Sequence, residues 1–224
     1  MTRRKSIRGE LAFAALVAVG AANACSKPAV VEPARVAEAS PAERARIREA
    51  QRELDRARDG LARAEVAEAE GDEFRSTVTE ERDRAESYYS AATRSAELGQ
   101  NTRDANLATS IERRQDGARL EREEFDEKAR FAEDLVELRQ KERALAEADV
   151  KLQETLVERA KFDAAAQAGD AEGLERADFI RAEEEARVQF AEAQREAAEA
   201  RLRSDESQKA WLRARNLRLD SGAR

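Results

Sequence analysis

After Pro41 this chain contains no proline. Proline ends helices because it lacks a backbone donor and its ring collides with the preceding turn. All three prolines (Pro28, Pro33 and Pro41) fall in one short stretch, so everything beyond it is free to stay helical. That remainder is dominated by Ala, Glu, Arg and Leu. With 40% charged residues and only 4% aromatics, the chain has too few large apolar side chains for a thick core. Low aromatic content beside high charge can also mark disorder, but the scarcity of Pro and Gly points to long helices and coiled coils instead.

The first helix announces itself at Ser40-Pro41-Ala42-Glu43. Ser at the N-cap, Pro at the first helical position and Glu at the third form a capping box. Ile47, Ala50, Leu54, Ala57, Leu61 and Ala64 then recur three and four apart, which places them on one seam. The seam continues, after a phase shift, through Ala67, Gly71, Phe74, Val78, Ala85, Tyr88 or Tyr89, Ala92 and Ala96. Leu98-Gly99-Gln100-Asn101 supplies a C-terminal stop. These signals predict a helix over 41–98, with Gly71-Asp72 as a weak point.

A second helix is predicted over 102–168, with Asp116-Gly117 as its weak point. Phe131, Leu138, Leu145 and Leu152 lie seven apart and form its clearest line. The complementary line meets Glu142 and Asp149. Two glycines in Ala168-Gly169-Asp170-Ala171-Glu172-Gly173 mark the next turn. The third helix, over 172–217, aligns Phe179, Ala182, Ala186, Phe190, Ala193, Ala197 and Ala200, flanked by Ile180, Val188, Ala191, Ala198 and Leu202. Trp211, Leu212, Leu217 and Leu219 are expected to gather as an apolar cluster, and 218–224 to be a disordered tail.

Acid–base spacings of four residues support each helix by itself: Glu80/Arg84, Glu124/Lys128, Asp126/Arg130, Glu137/Lys141, Glu183/Arg187 and Glu199/Arg203. Each such pair is worth ~0.2–0.5 kcal/mol. The fold class is therefore all-α: an elongated antiparallel helical bundle or coiled coil of about three long helices. Residues 25–40, rich in proline, precede it as an extended tether. A self-associating coiled coil and a set of single charged helices are the alternative arrangements.

The front of the chain is different in kind. Arg3, Arg4, Lys5 and Arg8 precede the apolar stretch Leu11–Ala24, which closes on small residues just before Cys25, the only cysteine. A basic start, a short apolar run and an A-x-A-like end describe a secretory signal peptide over 1–24. The run is too short for a membrane-spanning helix, which needs roughly 20 apolar residues. Ala22-Asn23-Ala24-Cys25 resembles the lipobox of bacterial lipoproteins. That resemblance implies cleavage before Cys25 and lipid attachment to it. It further implies an anchor in the cell envelope, with Ser26 leaning towards the outer membrane facing the periplasm. Ordinary leader-peptidase cleavage after Ala24, giving a soluble periplasmic or secreted protein, is the rival reading. The Ala-rich repeats behind the cysteine look like coiled-coil lipoproteins of Gram-negative envelopes.

Charge narrows the partners. Removing 1–24 takes away four basic residues and one acid, leaving 37 basic and 47 acidic residues, a net charge of −10. Such a surface is repelled by nucleic acid, and no basic patch is present to overcome that. The partners expected are a membrane, reached through lipid on Cys25, envelope proteins, and further copies of the same chain. Catalysis finds no foothold. There is no His in the chain, so neither a Ser-His-Asp triad nor a His-based metal site can be built. Gly169-Asp170-Ala171-Glu172-Gly173 lacks the Lys-Ser/Thr of a phosphate loop. The acidic runs Glu121-Arg122-Glu123-Glu124 and Glu183-Glu184-Glu185 read as solvated faces, and no cofactor is called for. The sequence therefore points to a non-enzymatic envelope scaffold or spacer. An accessory subunit of an efflux or secretion assembly is the alternative.

Overall fold

The computed structural model describes residues 30–99 and 104–222. It consists of α1 (Pro41–Gly99), α2 (Ala105–Ala168) and α3 (Arg176–Gly222), preceded by one 3-10 turn at Pro33–Val36. There is no strand among the described residues. At ~1.5 Å per residue the three helices are about 90, 95 and 70 Å long. The signal peptide expected at 1–24 and the lipidation expected at Cys25 fall on residues outside those described.

The helix ends follow local chemistry. Ser40 N–H donates to Glu43 Oε2 at 2.7 Å while Glu43 N–H donates to Ser40 Oγ at 3.3 Å, the reciprocal bonds of a capping box. Asp104 caps α2 by accepting from the backbone of Asn106 and Leu107. At the other end of α2, Gly169 takes the left-handed conformation, φ 81°. Gly169 N–H bonds Ala166 O and Asp170 N–H bonds Ala165 O, closing a Schellman motif. Neither Gly71 nor Gly117 interrupts its helix. Gly71 is buried where α1 crosses α2, its α-carbon side facing Val136 and Arg139.

α2 is the middle of the molecule. α1 and α3 each run antiparallel to it, while no pair of Cα atoms from α1 and α3 lies within 8 Å. Ion pairs display the α1–α2 register: Arg58–Glu154, Glu68–Arg143, Glu81–Lys128 and Glu86–Arg122 step forward on one helix and back on the other. Glu183–Arg159, Glu196–Lys141, Arg203–Glu137 and Arg218–Glu124 do the same between α3 and α2.

The seams drawn from spacing are the packed ones. Leu54, Ala57, Val78, Ala85 and Ala92 are buried on α1, and Phe179, Ala186, Ala197 and Ala200 on α3. On α2 the predicted line is buried at Phe131 and Leu138 and half-buried at Leu145 and Leu152, and a second set is buried as well: Ala118, Ala129, Ala132, Val136 and Val157. A central helix needs an apolar surface on two sides, and small alanines supply much of it. Phe131 stands where the three helices meet. It packs edge-on against Phe74 of α1 at 5.9 Å and stacks on Trp211 of α3 at 5.6 Å. The Lys128 ammonium lies 5.5–5.8 Å from the rings of Phe74, Phe125 and Trp211 and pairs with Glu81, a desolvated cation on aromatic faces.

Four expectations are corrected. Residues 30–40 are not an extended tether: Val31 and Ala39 are buried against the body, because apolar side chains had a hollow to fill at the α2–α3 turn. Residues 218–222 are not a disordered tail but the last turn of α3, where Arg218 pairs with the buried Glu124. Leu212, Leu217 and Leu219 are exposed and form no cluster with Trp211. Of the six within-helix ion pairs, Glu80/Arg84 and Glu183/Arg187 form. Most of the others exchange partners, while Glu199 forms no ion pair with a described residue. Glu124, Lys128, Glu137, Lys141 and Arg203 all reach across to a neighbouring helix, and Asp126 and Arg130 take Arg122 and Glu127. Once helices pack, a long side chain meets an opposite charge across the seam as readily as along its own turn.

Candidate functional site

The end of the rod formed by the α2–α3 turn concentrates the features that could serve a function. Here Phe162 and Phe179 stack with ring centroids 4.7 Å apart, and Val31, 1% exposed, closes over them together with Ala165. Val36, Ala171 and Leu174 pack around this cluster. Polar bonds fix the incoming residues 30–40 as a strap over the turn. Val31 N–H donates to Glu158 at 2.8 Å, and the Arg35 guanidinium donates to the carbonyl of Glu172 at 2.6 Å and to that of Asp170. Gly173 (φ 75°) and Gly169 both need the left-handed conformation to bend the chain back beneath this strap. The strap is thus held by burial and by hydrogen bonds to carbonyls that a turn would otherwise leave to water.

Beside the strap opens a trough of about 870 Å³. Its floor and walls carry Leu54 and Leu61 from α1, Val150 and Val157 from α2, and Phe179 and Ala182 from α3. Val30 stands at one end of it. The rim is charged but internally paired: Arg58 with Glu154 at 3.1 Å, and Lys161 with Glu158 at 2.6 Å. On the far side of α2 a smaller hollow of about 440 Å³ lies among Ala57, Gly60, Ala64, Leu145, Ala146 and Phe190. The two hollows follow from the architecture. Two helices flanking a third leave a valley on each face, and the apolar lining of the smaller one is largely alanine and glycine.

Charge pairing shifts groups in both seams of α2. Burial pushes the Glu142 carboxyl up, but hydrogen bonds from Arg201 and Arg139 overcome it and hold its pKa below the ordinary value. The hydrogen bond between Lys141 and Glu196 raises the former and lowers the latter. Hydrogen bonding to Glu68 and the charge of Glu147 raise Arg143. These are the shifts of charges held in their charged forms, not of a group tuned to move protons near neutrality.

The acidic runs are partly absorbed by pairing. Glu183 binds Arg159 and Arg187, and Glu124 binds Arg218. Among the described residues no group of three or more acids is arranged to hold a metal ion, and no helix is long and apolar enough to cross a membrane. Tyr88 and Tyr89 part company. Tyr88 is exposed, whereas Tyr89 is half-buried beneath the Arg122 guanidinium, 4.9 Å from its ring centre. The strap and the trough were not anticipated from sequence. Val30-Val31 and Val36, three β-branched residues inside a proline-rich stretch, were the available signal. No family model matches this chain, and neither the curated proteins nor the solved structures contain a match to it.

Proposed function

We propose that this protein is an exported lipoprotein of the cell envelope. In this reading lipid on Cys25 tethers it to a membrane, and it works there as a structural spacer or protein–protein scaffold. The observation that carries the reading is the docked strap. The six residue-to-residue steps from Cys25 to Val31 span at most about 20 Å, so an anchor at Cys25 keeps the α2–α3 turn close to the bilayer. The helices then project up to about 95 Å away from it. A loose tether would leave the rod free to lie in any direction; a docked one gives it a base and a tip. The long central helix, paired by charge to both neighbours, suits a member that bears length rather than one that encloses a reaction.

A single acyl chain anchors only marginally, and stable attachment takes two or more, which the modification implied by the lipobox provides. Cys25→Ser tests the anchor. The variant is expected to leave the membrane fraction and to lack the lipid mass carried by the wild type. If it fractionates as before and the wild type shows no added mass, the tethered reading is wrong. The accessory-subunit reading draws on a separate observation. At the opposite end Leu98 is 86% exposed and Leu107 49% exposed, an apolar tip of the kind that docks on another protein. Crosslinking from intact cells separates the two, by recovering either one defined assembly partner at the tip or contacts spread along the rod.

A further inference from the structure

The trough beside the strap is apolar along its floor and charged at its rim, and its width decides what can lie in it. Along α2 it runs from Lys161 to Glu147, about 20 Å at ~1.5 Å per residue. A volume of about 870 Å³ over that length gives a mean width of roughly 7 Å. A helix with its side chains is about 10–12 Å across and does not fit inside. An extended peptide is thin enough, but its backbone N–H and C=O groups need partners. The walls withhold them. Helix backbones bond within their own helices, Thr155 Oγ1 donates to Leu152 O at 2.7 Å, and the Gln51 amide donates to Asp55 at 3.4 Å. An alkyl chain, about 4–5 Å thick at ordinary carbon contact distances, needs neither the width nor the hydrogen bonds.

The rim selects the charge at the end of that chain. Three acids and three bases line the trough. Each acid has a basic partner: Glu154 with Arg58, Glu158 with Lys161, and Glu147 with Arg143. Lys151 pairs with no acid among the described residues; its ammonium donates to the neutral amide oxygen of Gln189 at 2.8 Å. An anion is therefore the charge this rim accepts without breaking a pair it already has. Glu147 and Glu154 stand four residues before and three after Lys151, on the same side of α2. They repel a phosphate monoester, at about −1.5 to −2 charges, more than a singly charged carboxylate. From Lys151 to Lys161 the path is about 15 Å, which a saturated chain of about a dozen carbons spans with ~1.5 Å bonds. It ends at Phe179 and Val30. Val30 is 60% exposed beside the fully buried Val31, so a tail arriving there covers apolar surface that the strap leaves open.

We propose that the trough binds one long-chain fatty acid, with its carboxylate on Lys151 and its tail running past Val157 to Phe179 and Val30. The apolar floor supplies most of the affinity, in proportion to the area covered. Lys151 sets the direction of the chain and the sign of its head group. This goes beyond the envelope reading and does not depend on lipid at Cys25.

The test uses the full-length chain carrying Cys25→Ser, so that no acyl chain of its own competes. Calorimetric titration with dodecanoate, kept below its micelle concentration, should show one saturable site per chain and a negative heat-capacity change. Dodecanol, with the same tail and no charge, should bind more weakly. Lys151→Glu should weaken dodecanoate binding at least tenfold and leave dodecanol binding unchanged, while Lys151→Arg keeps most of the affinity. Dodecyl phosphate should bind several-fold more weakly than dodecanoate. Ala182→Trp fills the base end of the trough and should remove binding of dodecanoate and dodecanol alike, with helix content by circular dichroism unchanged. No binding, or many weak sites spread along the rod, overturns the proposal. So does dodecanoate binding that ignores Lys151→Glu, or that survives Ala182→Trp and so lies elsewhere on the chain. Tighter binding of dodecyl phosphate than of dodecanoate overturns the assignment of the head group.

Discussion

At the α2–α3 turn two phenylalanines stack at 4.7 Å and Val31 covers them; at the opposite end, where α1 stops and α2 begins, Leu98 and Leu107 face solvent. Both ends are antiparallel helix pairs built from the same alanine-rich seam. What separates them is a few large side chains and a strap to close over them. Alanine lets helices approach closely but buries little area, and the stabilisation follows area at ~25 cal/mol per Å². The tip shows the limit of that economy. A Cβ added at Gly99 would run into Ile111 Cδ1, so the last turn of α1 lies close on α2 while little apolar surface is covered.

The largest test of this contrast is to empty the base. Phe162→Ala removes one ring of the stacked pair and the surface on which Val31 sits. A loss of about 3–5 kcal/mol is expected from urea unfolding, the range for a buried aromatic cut to Ala. Ile111→Ala at the half-buried tip should fall below ~2 kcal/mol, the low end for a buried aliphatic residue. Equal losses would mean that the ends are equally well packed. Between them, Leu138→Ala in the α2–α3 seam should cost about 2 kcal/mol, because so narrow a seam leaves little to collapse or to strand. A melting transition unmoved by that substitution would show that this seam does not hold the helices.

Smaller, and more specific to the strap, is Val31→Ala. Two buried methylene equivalents at ~0.8 kcal/mol each give a loss of about 1.5 kcal/mol. The sharper readout is proteolysis. Cleavage within 30–40 should accelerate well beyond cleavage anywhere in the helices, since the strap makes few contacts besides Val31, Glu158 and the two carbonyls bound by Arg35. If strap and helices become susceptible together, the strap is part of one cooperative unit with the rod and not a closure laid upon it.

How much of this was legible in the sequence varies with the range of the interaction. The capping box at Ser40–Glu43 and the Gly169 stop are decided by a few adjacent residues, and both stand where spacing put them. The seams through Leu54, Val78, Phe179 and Ala186 were readable because a helix repeats its faces regularly. The second apolar side of α2 was harder, since Ala118, Ala129 and Ala132 differ little from alanines on an exposed face. Ion-pair partners were the least legible. Lys128 and Glu124 are four apart and yet bind Glu81 and Arg218, a choice set by which helix lies opposite. The strap failed for a related reason. Pro28, Pro33 and Pro41 correctly excluded a long helix there, but an irregular segment can still dock, and only the shape of the turn decides whether Val31 has somewhere to go.

Acid should separate the two kinds of seam with the smallest effect of all. The Glu142 pKa is lowered from 4.5, so its contribution to stability is fully present above the unfolded value and is lost as pH falls through the folded one. Lys141 is raised above 10.5 by its hydrogen bond to Glu196; its contribution is present below that value and fades as pH rises through the folded one. These groups therefore leave stability flat between roughly pH 6 and 9. Glu142→Gln strips the acceptor from Arg139 and Arg201, both partly exposed. At neutral pH it should cost no more than about 1 kcal/mol, the range for screened pairs. The gap between variant and wild type should then shrink on acidification below pH 4.5, as the wild-type carboxyl takes up its proton. Val31→Ala, which removes only methyl groups from the base, should keep a constant gap over the same range. A Glu142→Gln gap that persists unchanged into acid would show that its cost comes from packing, and that the charges crossing between α2 and α3 fix register without adding stability.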